Sequence, residues 1–254
     1  MSADFKNYNL CLFNSVSDNP RVVEFGSKKS EIIDQVLDYY NLQKHTMSVL
    51  FVGFNPAILL ADDFKRVGVT NIDGATFDWL QEDSGMNANA IEYVDFDSIT
   101  STSVSWDLVV AVDEFFTYAE SDDHQKALIA KICGVAGKLV ISTLKDYKNL
   151  DFKEKEFSQP AILRIDDTFK VFTEFHNWNF KDRSCWTTSV YVNGDSSESY
   201  GPYNRKTMYF KQLAKFSIDA GATSFLVHKN LMFKGLIKKN YEHVVSIRFN
   251  DEYR

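Results

Sequence analysis

The stretch Ser48-Val-Leu-Phe-Val-Gly-Phe-Asn-Pro56, followed by Val69-Thr-Asn-Ile-Asp-Gly74, decides the fold. Residues 49–53 begin as an unbroken apolar run, the pattern of a strand buried on both faces. Gly53 then supplies a turn, residues 57–66 read as a short helix, and Gly68 ends it. A second strand over 69–73 ends in a carboxylate. Asp73 lies twenty residues beyond Gly53. In an open α/β sheet that spacing sets an acid beside the ribose of a nucleoside bound at the first turn.

Outward from this pair, a helix is expected over 76–83 and a third strand over 91–95. Trp106-Asp-Leu-Val-Val-Ala-Val112 reads as a fourth buried strand. Ser121-Asp-Asp-His124 then caps a helix running to about 136, with acids in its first turn. Gly137-Lys-Leu-Val-Ile-Ser-Thr143 is a fifth strand. Five strands alternating with helices predict a parallel sheet with right-handed crossovers.

After 143 the alternation stops. Residues 169–180 and 185–193 are β-prone and aromatic, and a polar Lys181-Asp-Arg-Ser184 turn between them predicts a hairpin. Residues 194–201, with Asp195-Ser-Ser-Glu-Ser199, read as a loop. Helical spacing returns at Tyr209, Leu213, Phe216 and Ala220, and strands over 223–228 and 243–249 are close enough to pair antiparallel at the sheet edge. Upstream, residues 1–26 read as an irregular lead-in, and Ile32/Ile33, Val36/Leu37 and Tyr40 give helical spacing over 30–40. The fold class is α/β: a Rossmann-like, mostly parallel seven-stranded sheet with helices on both faces, an antiparallel edge, and a β-rich insertion after strand five.

Composition narrows the function. The 254 residues suit a single domain, and 44% apolar with 25% charged residues is ordinary for a globular chain. The 21 Phe and 12 Tyr imply an aromatic-rich core or an aromatic-walled pocket. Cys11, Cys133 and Cys185 are scattered with no Cys-x-x-Cys pair, so neither a disulfide framework nor a metal site is expected. No basic-then-apolar leader follows Met1, and no apolar run approaches the roughly 18 residues that span a bilayer. A cytoplasmic protein without a membrane partner is the expectation. A net charge of −7 disfavours nucleic acid, although eight Lys or Arg against one acid over 204–240 form either a solvated face or a patch for an anionic ligand.

The order of these pieces resembles the class I S-adenosylmethionine-dependent methyltransferase family. The residues that carry the match are Val49-Leu-Phe-Val-Gly-Phe54, Gly68-Val-Thr-Asn-Ile-Asp-Gly74, and Trp106 through Phe116 with the strand to Thr143. The resemblance implies a single domain over 1–254. It comprises an N-terminal lead-in and helix (1–45), a cofactor-binding core (46–146), an aromatic substrate cap (147–203) and a C-terminal helix with edge strands (204–254). It implies S-adenosylmethionine as cofactor, held at Gly53, Phe54 and Asn55. Asp73 with Gly74 would serve the ribose, Asp95 with Phe96 the adenine, and Val112 with Asp113 the methionine end. Asp97 is a rival for the adenine. The family's second glycine is replaced here by Asn55, followed by Pro56, which removes one loop N–H.

The acceptor is expected above strands four and five, roofed by the insertion with its His176, Trp178, Trp186, Tyr191, Tyr200 and Tyr203. Methyl transfer needs alignment of reactants and exclusion of water more than a fixed triad. His176 is the first candidate base, since an unperturbed imidazole titrates near neutrality, and Tyr118 follows, with His124 a lesser candidate. The absence of an Asn/Asp-Pro-Pro-Tyr-like motif after strand four and the aromatic insertion favour a small-molecule acceptor over nucleic acid. The oligomeric state is open. Two alternatives remain. A nicotinamide-dependent oxidoreductase would use Asp73 equally well, but Asn55 and Ile58 stand where its second and third glycines belong. A non-catalytic interaction or regulatory protein could use the same scaffold.

Overall fold

The computed structural model describes residues 20–53, 64–76, 92–95, 98–99, 106–112, 114–148, 153–158, 160–165, 168–234 and 241–249. The apolar runs form the centre of a seven-stranded sheet. Its strands are β1 (Ser48–Val52), β2 (Asn71–Thr76), β3 (Glu92–Asp95), β4 (Trp106–Ala111), β5 (Ala136–Lys145), β11 (Ser224–Lys234) and β12 (Tyr241–Arg248). They lie in the order β11-β12-β5-β4-β1-β2-β3. The first five are parallel, β12 runs antiparallel to β5, and β11 runs antiparallel to β12. That is the mostly parallel sheet with an antiparallel edge expected from the sequence.

Alternation along each strand builds two cores. Val49, Phe51, Leu108, Val110 and Ile141 point to one face, where α1 (Pro20–Tyr39) lays down Ile33, Val36 and Leu37, all fully buried. Each such aliphatic side chain contributes roughly 1.5–3 kcal/mol. The helix ends where Asn41 enters the left-handed region at φ 52, which Asn tolerates. Leu50, Val52, Val109, Val140 and Val245 point the other way, against α2 (Asp122–Val135) and α3 (Phe210–Asp219). Ser121 caps α2 as its sequence predicts, its hydroxyl accepting the His124 N–H at 3.1 Å.

The insertion is a second, wholly antiparallel sheet of β6 (Lys155–Phe157), β7 (Ala161–Ile165), β8 (Thr168–Asn179), β9 (Ser184–Asn193) and β10 (Ser196–Lys206). Strand β8 is its hub, pairing β9 along one side and both β6 and β7 along the other. One row across it reads His176–Thr187–Tyr203, and the next reads Trp178–Cys185–Arg205. Phe172, Trp178, Cys185 and Tyr203 are buried in the same core as Phe115 and Phe116 of the central domain, so this sheet is packed down onto the fold.

Four expectations change. The loop expected over 194–201 is the first half of β10. A tight turn at Gly194 (φ 59) returns the chain immediately, and the polar Ser196–Ser199 run pairs with Val190–Asn193. An edge strand facing water accepts such residues, so composition alone misread it. The lead-in over 20–26 is already helical, since Pro at a helix start costs nothing. Strand β2 continues to Thr76 rather than stopping at Asp73, because Gly74 and Ala75 keep pairing with Phe51 and Val52. The basic 204–240 segment is not an unbroken surface patch. Arg205 is only 8% exposed, and the Lys206 ammonium donates to the Asp182 carbonyl at 2.7 Å. Residues 1–19, most of the helix expected over 57–66, and the helix expected over 76–83 beyond Thr76 lie outside the described residues.

Candidate active site

The sheet order reverses between β1 and β4, and in open α/β sheets the crevice at that point, beyond the strands' carboxyl ends, receives ligands. Gly53 leaves β1 there with φ 137, in the region that favours glycine. Among the described residues a Cβ on it would meet the Phe115 ring at 3.6 Å, an ordinary contact, so the positive φ is what favours glycine here. Asp95 closes β3 opposite Thr76, and Val112, 2% exposed, follows β4. Phe54, Asn55, Phe96, Asp97 and Asp113 lie outside the described residues.

Asp73 lies within β2. Because β2 runs on, Asp73 pairs with Leu50, three residues short of the level of Gly53, with Gly74 buried beside Phe51. Its carboxylate accepts the Trp106 indole N–H at 2.6 Å, tying β2 to the start of β4.

Directly after β4, Glu114 adopts φ 57, ψ 32, an unusual conformation for a non-glycine residue, and is 5% exposed. Its carboxylate meets the Lys145 ammonium from the end of β5 at 2.5 Å and accepts the Tyr147 hydroxyl. Burial pushes this carboxyl up, but Lys145, Arg205 and the two hydrogen bonds outweigh burial, holding Glu114 below the usual carboxylate range and charged.

Arg205 comes from the second sheet. Its guanidinium lies 5.5 Å from the centre of the Tyr118 ring, and its Nε has no hydrogen-bond acceptor among the described residues. Tyr118 follows Glu114 in a 3-10 turn over Phe115–Tyr118, and burial drives its phenol up to about 12 despite the opposing Arg205 charge. His176 stands one row from Arg205. Its Nδ1 is 3.2 Å from the Thr187 hydroxyl and 3.8 Å from the Cys185 thiol, and its Nε2 is 3.6 Å from Glu174. Burial lowers the imidazole to about 4, Arg205 and Lys145 adding to the effect and Glu174 opposing it. Near neutral pH the cluster therefore holds a charged Glu114, a neutral imidazole and a protonated phenol.

The structure thus brings His176 and Tyr118 together through Arg205, beneath the second sheet and against the ends of β4 and β5. His124 instead serves the α2 cap. Glu114, Lys145, Tyr147 and Arg205 were not singled out in the sequence as site residues. Glu114 follows Asp113 directly and Lys145-Asp-Tyr147 follows the fifth strand, so position offered a signal. Arg205 offered none, being hidden in a run of surface lysines.

Neither a protein-family model nor a curated protein sequence matches the chain. Solved structures do. The sugar N-methyltransferase KedS8 of a Streptoalloteichus species superposes with a TM-score of 0.70 at 10% identity, over 94% of this chain and 92% of its own. The CcbJ methyltransferase of Streptomyces caelestis gives 0.64 at 15%, over 88% and 89%. The amino pentose methyltransferase CalS10 of Micromonospora echinaspora, solved with bound S-adenosylmethionine, gives 0.59 at 11%, over 85% and 89%. The fold is that of the class I S-adenosylmethionine-dependent methyltransferases. Matching along nearly the whole of both chains, the methyltransferase fold here includes the second sheet as well as the central one. Among the described residues no helix is long and apolar enough to cross a membrane.

Proposed function

We propose that the protein is an S-adenosylmethionine-dependent methyltransferase for a small-molecule acceptor. The observation that carries this reading is the buried cluster of Glu114, Tyr118, His176 and Arg205, which adjoins the switch-point crevice and is roofed by a second sheet. KedS8, CcbJ and CalS10 are methyltransferases, two of them for sugars, on the same overall architecture.

The crevice residues fit the cofactor. Gly53 turns the chain without a side chain, Asp95 ends β3 opposite Thr76, and Val112 follows β4. In this reading Gly53, Asp95 and Val112 hold the nucleoside and methionine portions, together with Phe54, Asn55, Phe96 and Asp113, whereas Asp73 braces the sheet through Trp106. The cofactor, when bound, supplies an electrophilic methyl group on a sulfonium.

The protein's own residues do the rest. The second sheet and the Phe115 and Phe116 rings exclude water. Glu114, fixed by Lys145 and Tyr147, locks the turn after β4 to the end of β5 and so sets the position of the Tyr118 turn that follows it. Tyr118 stays protonated and donates a hydrogen bond to orient the acceptor. His176, held neutral, takes up the proton the acceptor releases. An imidazole near 4 is a weak base, so this step suits an acceptor that loses its proton late, after the new bond has begun to form.

Incubation with methyl-labelled S-adenosylmethionine and a metabolite extract tests the reading. Label should enter the small-molecule fraction and be lost in Glu114→Ala. Transfer that survives Glu114→Ala undiminished would remove the cluster from the reaction, and labelling of nucleic acid or protein alone would overturn the acceptor class.

A further inference from the structure

The outward side of the second sheet carries chemistry that the buried cluster does not use. Adjacent residues of a strand point to opposite faces, so Trp186 faces away from the buried Trp178–Cys185–Arg205 row, and 47% of it is exposed. Its cross-strand partner is Asn177, which pairs in turn with Lys155. At the end of β8, Phe180 is 54% exposed and stacks on Trp178 with ring planes 10° apart and centroids 6.4 Å apart. Trp186, Asn177 and Phe180 line a cleft of ≈ 540 Å³ together with Glu154 and Lys181, within the roughly 300–1,000 Å³ of small-molecule sites.

Two large rings left facing water in one cleft call for a ligand with an apolar face. The polar groups set its kind. Glu154 and Lys181 cancel in charge, so the cleft has no net attraction for an ion, and with the Asn177 amide they supply both donors and acceptors at its rim. A flat C–H face edged by hydroxyls meets both demands. We propose that this cleft is a subsite for a neutral glycosyl group, stacked on Trp186 and hydrogen-bonded at its edge by Asn177, Glu154 and Lys181. It goes beyond the methyltransferase reading and does not depend on it. The binding itself needs no methyl transfer.

Tryptophan emission and its quenching by acrylamide, followed during titration with maltose, cellobiose and N-acetylglucosamine, test the subsite. At least one sugar should give saturable protection in about the millimolar range. Calorimetry reads the variants, because replacing Trp186 removes the reporting ring: Trp186→Ala should weaken that binding roughly tenfold, Trp186→Phe should restore most of it, and Asn177→Ala should weaken it several-fold, on the order of one lost hydrogen bond. No saturable change with any of the three sugars up to about 100 mM, well above the millimolar range, or unchanged affinity in Trp186→Ala, would overturn the proposal. Binding of S-adenosylhomocysteine is measured on the same protein. Sugar binding without it would sink the methyltransferase reading and leave the subsite, and the reverse would sink the subsite alone.

Discussion

At the scale of single residues, Asp73 and Gly53 divide what their spacing joined. Asp73 accepts a 2.6 Å bond from Trp106 below the rim, so Asp73→Ala should cost about 1–2 kcal/mol of stability by orphaning that N–H. Its effect on nucleoside affinity should be under twofold. Paired urea unfolding and calorimetry would read both, and a lost affinity with unchanged stability would return Asp73 to the ribose. Gly53→Ala strains a φ of 137, a cost of roughly 1–3 kcal/mol felt at the crevice. Nucleoside affinity should fall while the cooperative fold survives. His176 makes stability depend on pH. The unfolded chain takes up its proton near 6.5, the folded chain only near 4. Stability is therefore full above 6.5 and is lost as the pH falls towards 4, by on the order of 2 kcal/mol between pH 7 and 5. His176→Gln should remove that part of the slope in denaturation curves taken across this window, and an equal slope in both proteins would show that the imidazole is not held neutral.

At the scale of elements, the legible parts were those whose own residues decide them. Apolar runs marked β1, β4 and β5, and Ser121-Asp-Asp marked the start of α2. Where pairing decides instead, the sequence was silent. Strand β2 is lengthened by its ladder to β1, and β10 exists because β9 offers it partners despite its polar side chains. Gly201 shows how closely β10 is held. A Cβ there would come within 2.7 Å of the Thr187 carbonyl at φ 107, whereas at Gly221, φ 93, none of the described residues lies within 4 Å. Gly221→Ala isolates the backbone cost, and Gly201→Ala should destabilise by about 2 kcal/mol more, since the clash adds to that strain. Equal losses in urea unfolding would mean that β10 is not packed against β9 as described. The candidate site was partly legible for the same reason. His176 stood out by residue type within the insertion and Tyr118 by its place after strand four, but Glu114, Lys145 and Arg205 meet from three separate parts of the chain, and only tertiary packing turns Arg205 inward.

At the scale of the whole molecule, two layers make the function. The seven-stranded sheet provides a crevice where its strand order reverses, and the antiparallel second sheet closes over the adjoining ends of β4 and β5. The cluster of Glu114, Lys145, Tyr147, Tyr118, Arg205 and His176 lies where the layers meet, so neither sheet alone would assemble it. Cofactor binding is the claim on which the rest depends. Isothermal titration with S-adenosylmethionine, S-adenosylhomocysteine and NAD tests it most directly. Saturable binding of both sulfur nucleosides, weakened in Gly53→Ala, with no heat from NAD, is the predicted result. Silence from both at millimolar concentration, or binding of NAD in their place, would contradict it.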